Sequence, residues 1–137
     1  MGCGTVKVTV DTNVLVRGVV RDDPAQAEAA DRVLRKASVI AVTMPTLCEF
    51  VWVLRSVYGF TAGDVSGAIL ALLAVPAVLV NRAAVEAGLA LLQAGGDFAD
   101  GVIAHEGRWL GGETFVSFDR KAVVLLTAEG GEALLLS

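Results

Sequence analysis

Short runs of β-branched residues alternate with longer stretches of helical periodicity, and this alternation restricts the fold more than any other feature of the chain. Val6 to Val10, Val39 to Val42, Ala77 to Val80 and Thr114 to Val116 read as strands, with Glu132 to Leu136 a candidate fifth. Between them Ala25 to Lys36 reads as a helix with Pro24 suited to its first turn, and Pro45 opens another to about Tyr58. Thr61 and Asp64 form a capping arrangement for a helix to about Ala74, and Asn81 caps one through Gln93. Further helices run from Phe98 to about Glu106 and from Arg120 to Leu126. The glycine pairs Gly95-Gly96, Gly111-Gly112 and Gly130-Gly131 punctuate the second half. Strands this short and this apolar are expected where helices cover both faces of a sheet. The pattern therefore predicts an α/β sandwich with a mainly parallel central sheet of four to five strands, flanked by helices on both faces. A length of 137 residues fits one domain spanning 1–137.

Apolar residues make up 55% of the chain, and the mean hydropathy of +0.66 requires a membrane reading to be tested. The longest apolar run, Ala68 to Val80, contains Pro76 and falls short of the roughly 20 residues that span a bilayer. The first residues lack the basic flank and apolar stretch of a signal peptide, and Val6 breaks a myristoylation pattern. A cytoplasmic protein with a large core and an apolar oligomer face is expected. Cys3 and Cys48 have no metal-ligand spacing, Cys48 reads as a small buried hydrophobe, and the single histidine, His105, rules out a multi-histidine zinc site. A net charge of −4 argues against general attraction to nucleic acid, so a polyanion has to be held locally, by a metal or a few arginines.

Five acidic residues sit where solubility alone gives no reason for them: Asp11, Glu49, Asp97, Asp100 and Asp119. Asp11 follows the first strand. It is either the N-cap of a following helix or, with Asn13 as cap, free to face the cleft beyond the strand ends. Glu49 is the only charge from Met44 to Leu54, in a helix apolar nearly all round. It calls for a metal or for an arginine partner such as Arg55. Asp97 and Asp100 are three residues apart at a helix start, so one serves as a cap or dipole partner and the other, taken as Asp100, faces inward. Asp119 closes the fourth strand as a cap or a ligand, and Ser117 places a hydroxyl beside it. Clustered carboxylates repel unless a cation balances them, and Mg²⁺ or Mn²⁺ suits an all-oxygen site. Metal-assisted phosphodiester hydrolysis is the chemistry such a cluster supports.

Four blocks now carry a resemblance: Asp11-Thr-Asn-Val-Leu-Val, Pro45-Thr-Leu-Cys-Glu49, Asp97-Phe-Ala-Asp100-Gly-Val-Ile-Ala and Ser117-Phe-Asp119-Arg-Lys. In order and spacing they resemble PIN-domain ribonucleases, and among these the VapC toxins of bacterial VapBC toxin–antitoxin pairs. The resemblance implies a PIN-like sandwich and Mg²⁺- or Mn²⁺-dependent endoribonuclease activity in a type II toxin. By motif, Asp11, Glu49, Asp100 and Asp119 match the catalytic acidic quartet, and Asp97, Thr12, Asn13 and Ser117 match supporting positions. In that mechanism Asp11, Asp100 and Asp119 hold the metal and Glu49 positions or deprotonates the attacking water. Partners implied are RNA, a second copy of the chain and a VapB-type antitoxin whose C-terminal segment crosses the active-site groove. Gly101 departs from the alanine common at that position, which puts only local helix stability in question.

Alternatives remain at this point. A haloacid-dehalogenase-type phosphohydrolase also places an aspartate after its first strand, but needs a second where this chain has Asn13. No Gly-rich Lys-Ser/Thr loop or Gly-x-Gly-x-x-Gly is present. A non-catalytic PIN-fold binding module is expected to have lost a carboxylate, and none of the matched four is missing. Arg17, Arg21, Arg55, Arg120 and Lys121 are read first as solvated or ion-paired, with Arg120 and Lys121 the better phosphate contacts. Trp52 is read as core or dimer interface, and His105 as exposed or structural.

Overall fold

In the computed structural model, which describes residues 6–137, all five strands form and every pairing is parallel. The chain divides into two compact units, one up to Val80 and one from Asn81. Hydrogen bonding follows that division, as a three-stranded and a two-stranded sheet.

The first unit runs β1 (Lys7–Thr9), α1 (Thr12–Val20), α2 (Pro24–Lys36), β2 (Val39–Ala41), α3 (Met44–Ser56), α4 (Ala62–Leu73) and β3 (Val78–Leu79). The strands pair in the order β1-β2-β3, with Val8 opposite Ile40 and Ile40 opposite Val78. Parallel neighbours need a crossover, and the helices between the strands supply it. Four of these helices start on a side chain that accepts a backbone N–H: Asp11, Asp23, Thr43 and Thr61. Thr61 and Asp64 complete the expected reciprocal capping box. Leu15, Val16, Ile40, Leu47, Phe50, Leu54, Val65 and Ile69 are buried. Cys48 is half-buried rather than buried, and Cys3 lies outside the described residues. Trp52 is 63% exposed, which excludes the core reading of that residue within this chain.

The second unit runs α5 (Arg82–Gln93), α6 (Phe98–Trp109), β4 (Thr114–Ser117), α7 (Arg120–Ala128) and β5 (Glu132–Leu135). β4 and β5 pair in parallel, from Thr114 opposite Glu132 to Ser117 opposite Leu135. Each glycine pair stops a helix in the same way. After α5, Gly95 N–H bonds the Leu92 carbonyl at 3.0 Å and Gly96 N–H bonds the Leu91 carbonyl at 2.8 Å. This is a Schellman stop, which needs a left-handed residue, and Gly95 has φ +101°. Gly111-Gly112 and Gly130-Gly131 repeat it after α6 and α7. α6 therefore continues past Glu106 to Trp109, because its stop signal comes only at Gly111-Gly112.

α5 and α6 pack nearly backbone to backbone. A Cβ on Gly101 would lie 2.5 Å from the Ala87 carbonyl oxygen and 2.9 Å from Gly88 Cα. One on Gly88 would lie 2.7 Å from the ring of Phe98, which is fully buried. Gly101 is thus a packing requirement, not the simple loss of helix propensity that its sequence position suggests.

Candidate active site

In the first unit the chain leaves β1, passes buried Val10 and turns into α1 at Asp11. Asp11 has extended backbone (φ −89°, ψ 175°), and its Oδ1 accepts the Val14 N–H at 3.2 Å. Asp11, not Asn13, is therefore the cap. Capping does not exhaust the group, because an ionised carboxylate has about four acceptor positions, and Asp11 is exposed. Asn13 is exposed as well.

Thr12 is buried, and its hydroxyl donates a short hydrogen bond to Glu49 Oε1. This bond fastens the first turn of α1 to α3. Glu49 itself is exposed, although its surroundings in sequence predict burial. The reason is the stripe that α3 buries: Met44, Leu47, Phe50, Val51 and Leu54, at helical spacing. Glu49 and Trp52 lie off that stripe, three residues apart, on the face toward solvent. Thr12, rather than Arg55, is the hydrogen-bond partner of Glu49.

In the second unit the stop at Gly95-Gly96 delivers the chain to Asp97, whose Oδ1 accepts the Ala99 N–H at 3.0 Å and caps α6. Asp100 follows in the first turn, half-buried and free of the capping role. This is the division of labour expected for the pair. Asp119 caps α7 through the Ala122 N–H at 3.2 Å, while its own backbone N–H donates to Ser117 Oγ at 2.9 Å. Ser117 thereby fixes the turn that carries Asp119.

The Asp100 carboxyl is pushed above the usual carboxylate range. Burial is the main cause, followed by the negative charges of Asp97 and Asp119. Two acidic neighbours thus bear on one half-buried acid at the start of a helix. A cation relieves such a set, and the donors are all hard oxygens, the chemistry that Mg²⁺ or Mn²⁺ prefers. In donor chemistry these residues suit a divalent ion. Among the described residues, no three His, Cys, Asp or Glu side chains are gathered as a ready-made metal site.

Two features of the site carried no local sequence signal. One is the Thr12–Glu49 bond, across 37 positions. The other is a polar triad of the first unit: Arg17 Nη1 donates to Asp22 Oδ1 at 2.6 Å and to the Tyr58 hydroxyl at 3.4 Å, and Tyr58 donates to Asp22 Oδ2 at 3.1 Å. Arg21 pairs with Asp31, so both arginines are ion-paired as expected. Arg55, Arg120 and Lys121 are exposed. His105 is half-buried, with Nε2 unpartnered among the described residues.

The PIN domain family model matches residues 8–124, a span that contains all five acidic residues and most of both units. The chain belongs to the PIN domain family. PIN domains are generally metal-dependent nucleases that use divalent ions. Membership sets aside the haloacid-dehalogenase alternative. No curated protein matches the chain. Among the described residues, no helix is long and apolar enough to cross a membrane.

Proposed function

We propose that this PIN domain, acting as one domain over residues 1–137, is a metal-dependent endoribonuclease and the toxin of a VapBC-type toxin–antitoxin pair in the cytoplasm. The catalytic part is supported by half-buried Asp100, whose carboxyl is held above its usual range by burial and then by the charges of Asp97 and Asp119. The toxin assignment rests on the four motif blocks around Asp11, Glu49, Asp100 and Asp119.

Mg²⁺ or Mn²⁺, when bound, would lower the pKa of water and offset charge on phosphoryl oxygens. The chain's own residues do the rest. Asp11, Asp100 and Asp119 would hold the ion through their carboxylate oxygens, and each stands at a helix start. Glu49 orients the attacking water or takes its proton, and Thr12 holds Glu49 for that task. Asp97 and Ser117 fix the turns that present Asp100 and Asp119. Asn13, exposed beside Asp11, supports the substrate side of the site.

The partners in this reading are RNA, a second copy of the chain and a VapB-type antitoxin. A basic antitoxin tail would be drawn to exposed Asp11 and Asp119, pairing with them in place of the ion. Incubating the purified chain with a mixed RNA pool, with and without Mg²⁺, and mapping the new ends tests the activity. Discrete ends that appear only with the ion support it; an intact pool in both arms contradicts it. Neutralising the basic residues of the antitoxin tail tests the partner: inhibition should be relieved, and unchanged inhibition rejects that mode of binding.

A further inference from the structure

A cavity of about 370 Å³ opens between α1 and α2, wholly within the first unit, and Asp11 is on its wall. α1 contributes Asn13, Val14 and Arg17; α2 contributes Gln26, Ala29, Ala30 and Val33. On α2 these positions are spaced at i, i+3, i+4 and i+7, so a single stripe of that helix forms one side. Two alanines in the middle of the stripe leave the space open. Val14, Ala29, Ala30 and Val33 make much of the lining apolar, and Asn13 and Gln26 add amide groups to it. Arg17 is fixed there, because both of its side-chain hydrogen bonds run from Nη1 into the Asp22–Tyr58 pair. Its Nε is buried without a partner.

We infer that this cavity receives a single unpaired nucleobase of the RNA strand, the one next to the phosphate at Asp11. The inference rests on the nuclease reading and deepens it by naming what is recognised. The volume falls at the small end of the range for small-molecule pockets, which suits one planar ring. Sequence-specific RNA recognition uses unstacked bases held between side chains and bonded along their edges. Val14, Ala29 and Val33 supply apolar surface for the faces of the ring. Asn13 and Gln26 each offer an acceptor and two donors in one plane, the pattern that pairs with adenine. The bound base also brings its phosphate to the carboxylate end of the cavity.

Mononucleotides separate this inference from the activity. The full chain, labelled with ¹⁵N and held in EDTA, is titrated with AMP, GMP, CMP and UMP while the side-chain amide signals of Asn13 and Gln26 are followed. AMP should shift both signals saturably and bind at least fivefold tighter than UMP. Gln26→Leu should weaken AMP by about fivefold or more, the loss expected for one two-point amide–base contact. Ala29 is exposed, so Ala29→Leu fills the cavity while leaving the core intact, and should abolish the shifts. Absence of shifts with all four nucleotides overturns the inference, as does their persistence in Ala29→Leu. Amide signals that move with protein concentration alone would assign the groove to a second copy and also overturn it. RNA cleavage without an amide response rejects the cavity but not the nuclease. A response without cleavage rejects the nuclease and leaves a nucleotide site.

Discussion

The hydroxyl of Thr12 donates to Glu49 Oε1 and so joins two helices whose linked residues are 37 positions apart. Thr12 is buried and Glu49 exposed, so the bond fixes one oxygen of an otherwise solvated carboxylate. Thr12→Val keeps the shape and removes the donor. It should cost about 1 kcal/mol of stability, the usual net value of a hydrogen bond, read by denaturant unfolding. RNA cleavage should fall further, by about tenfold or more, because Glu49 loses its orientation. Equal activity with equal stability would separate Thr12 from the function of Glu49.

Asp100 gives the chain a specific pH dependence. Its carboxyl is raised by burial and then by Asp97 and Asp119, so the folded protein holds that proton more tightly than the unfolded chain does. The stabilising contribution is complete below the ordinary carboxylate range and is lost as pH rises through the higher folded value. Above that window the charged Asp100 opposes folding. Asp100→Asn should therefore melt higher than the wild type at neutral pH, with the gap closing on acidification. A gap that widens in acid would reverse the assignment.

A divalent ion should offset the same repulsion. Adding Mn²⁺ to protein stripped with a chelator is expected to raise the melting temperature, because an ion that binds only the folded state stabilises it. The shift should shrink markedly in Asp100→Asn and in Asp119→Asn. An equal shift in all three proteins would place the ion elsewhere.

Gly101 and Gly107 lie on one helix and should respond in opposite directions to alanine. Alanine gains about 1 kcal/mol of helix propensity at either position. At Gly107 nothing stands within 4 Å of the added carbon, so that gain should appear as higher stability. At Gly101 the carbon meets the α5 backbone at 2.5 Å, and overpacking typically costs about 1–3 kcal/mol. The net effect should be a loss, visible in thermal melts. Stabilisation by Gly101→Ala would mean that α5 and α6 move apart freely.

Much of this fold is legible residue by residue because its signals are local. Thr61 and Asp64 sit three apart and cap each other; Asn81 caps α5; each glycine pair stops a helix. The spacing of Asp97 and Asp100 marks one as cap and the other as free, and apolar Val102-Ile103-Ala104 after Asp100 selects it as the inward acid. Tertiary relationships are less legible. The exposure of Glu49 depends on which stripe α3 buries, and a helix with apolar residues on most sides does not declare that stripe. Gly101 reads as a weak helix residue until α5 is seen against it. The bond of Thr12 to Glu49 and the triad of Arg17, Asp22 and Tyr58 join residues that no short-range pattern connects.

The most direct measurement is single-turnover cleavage of a mapped RNA by the wild type, Asp11→Asn and Asp100→Asn, each confirmed as folded, with Mn²⁺ and with EDTA. Cutting should require the ion, and each amide variant should be slower than the wild type by about a hundredfold or more, a factor that represents about 2.7 kcal/mol of barrier. Undiminished cutting in EDTA, or by either variant, would contradict a carboxylate-held ion as the source of activity.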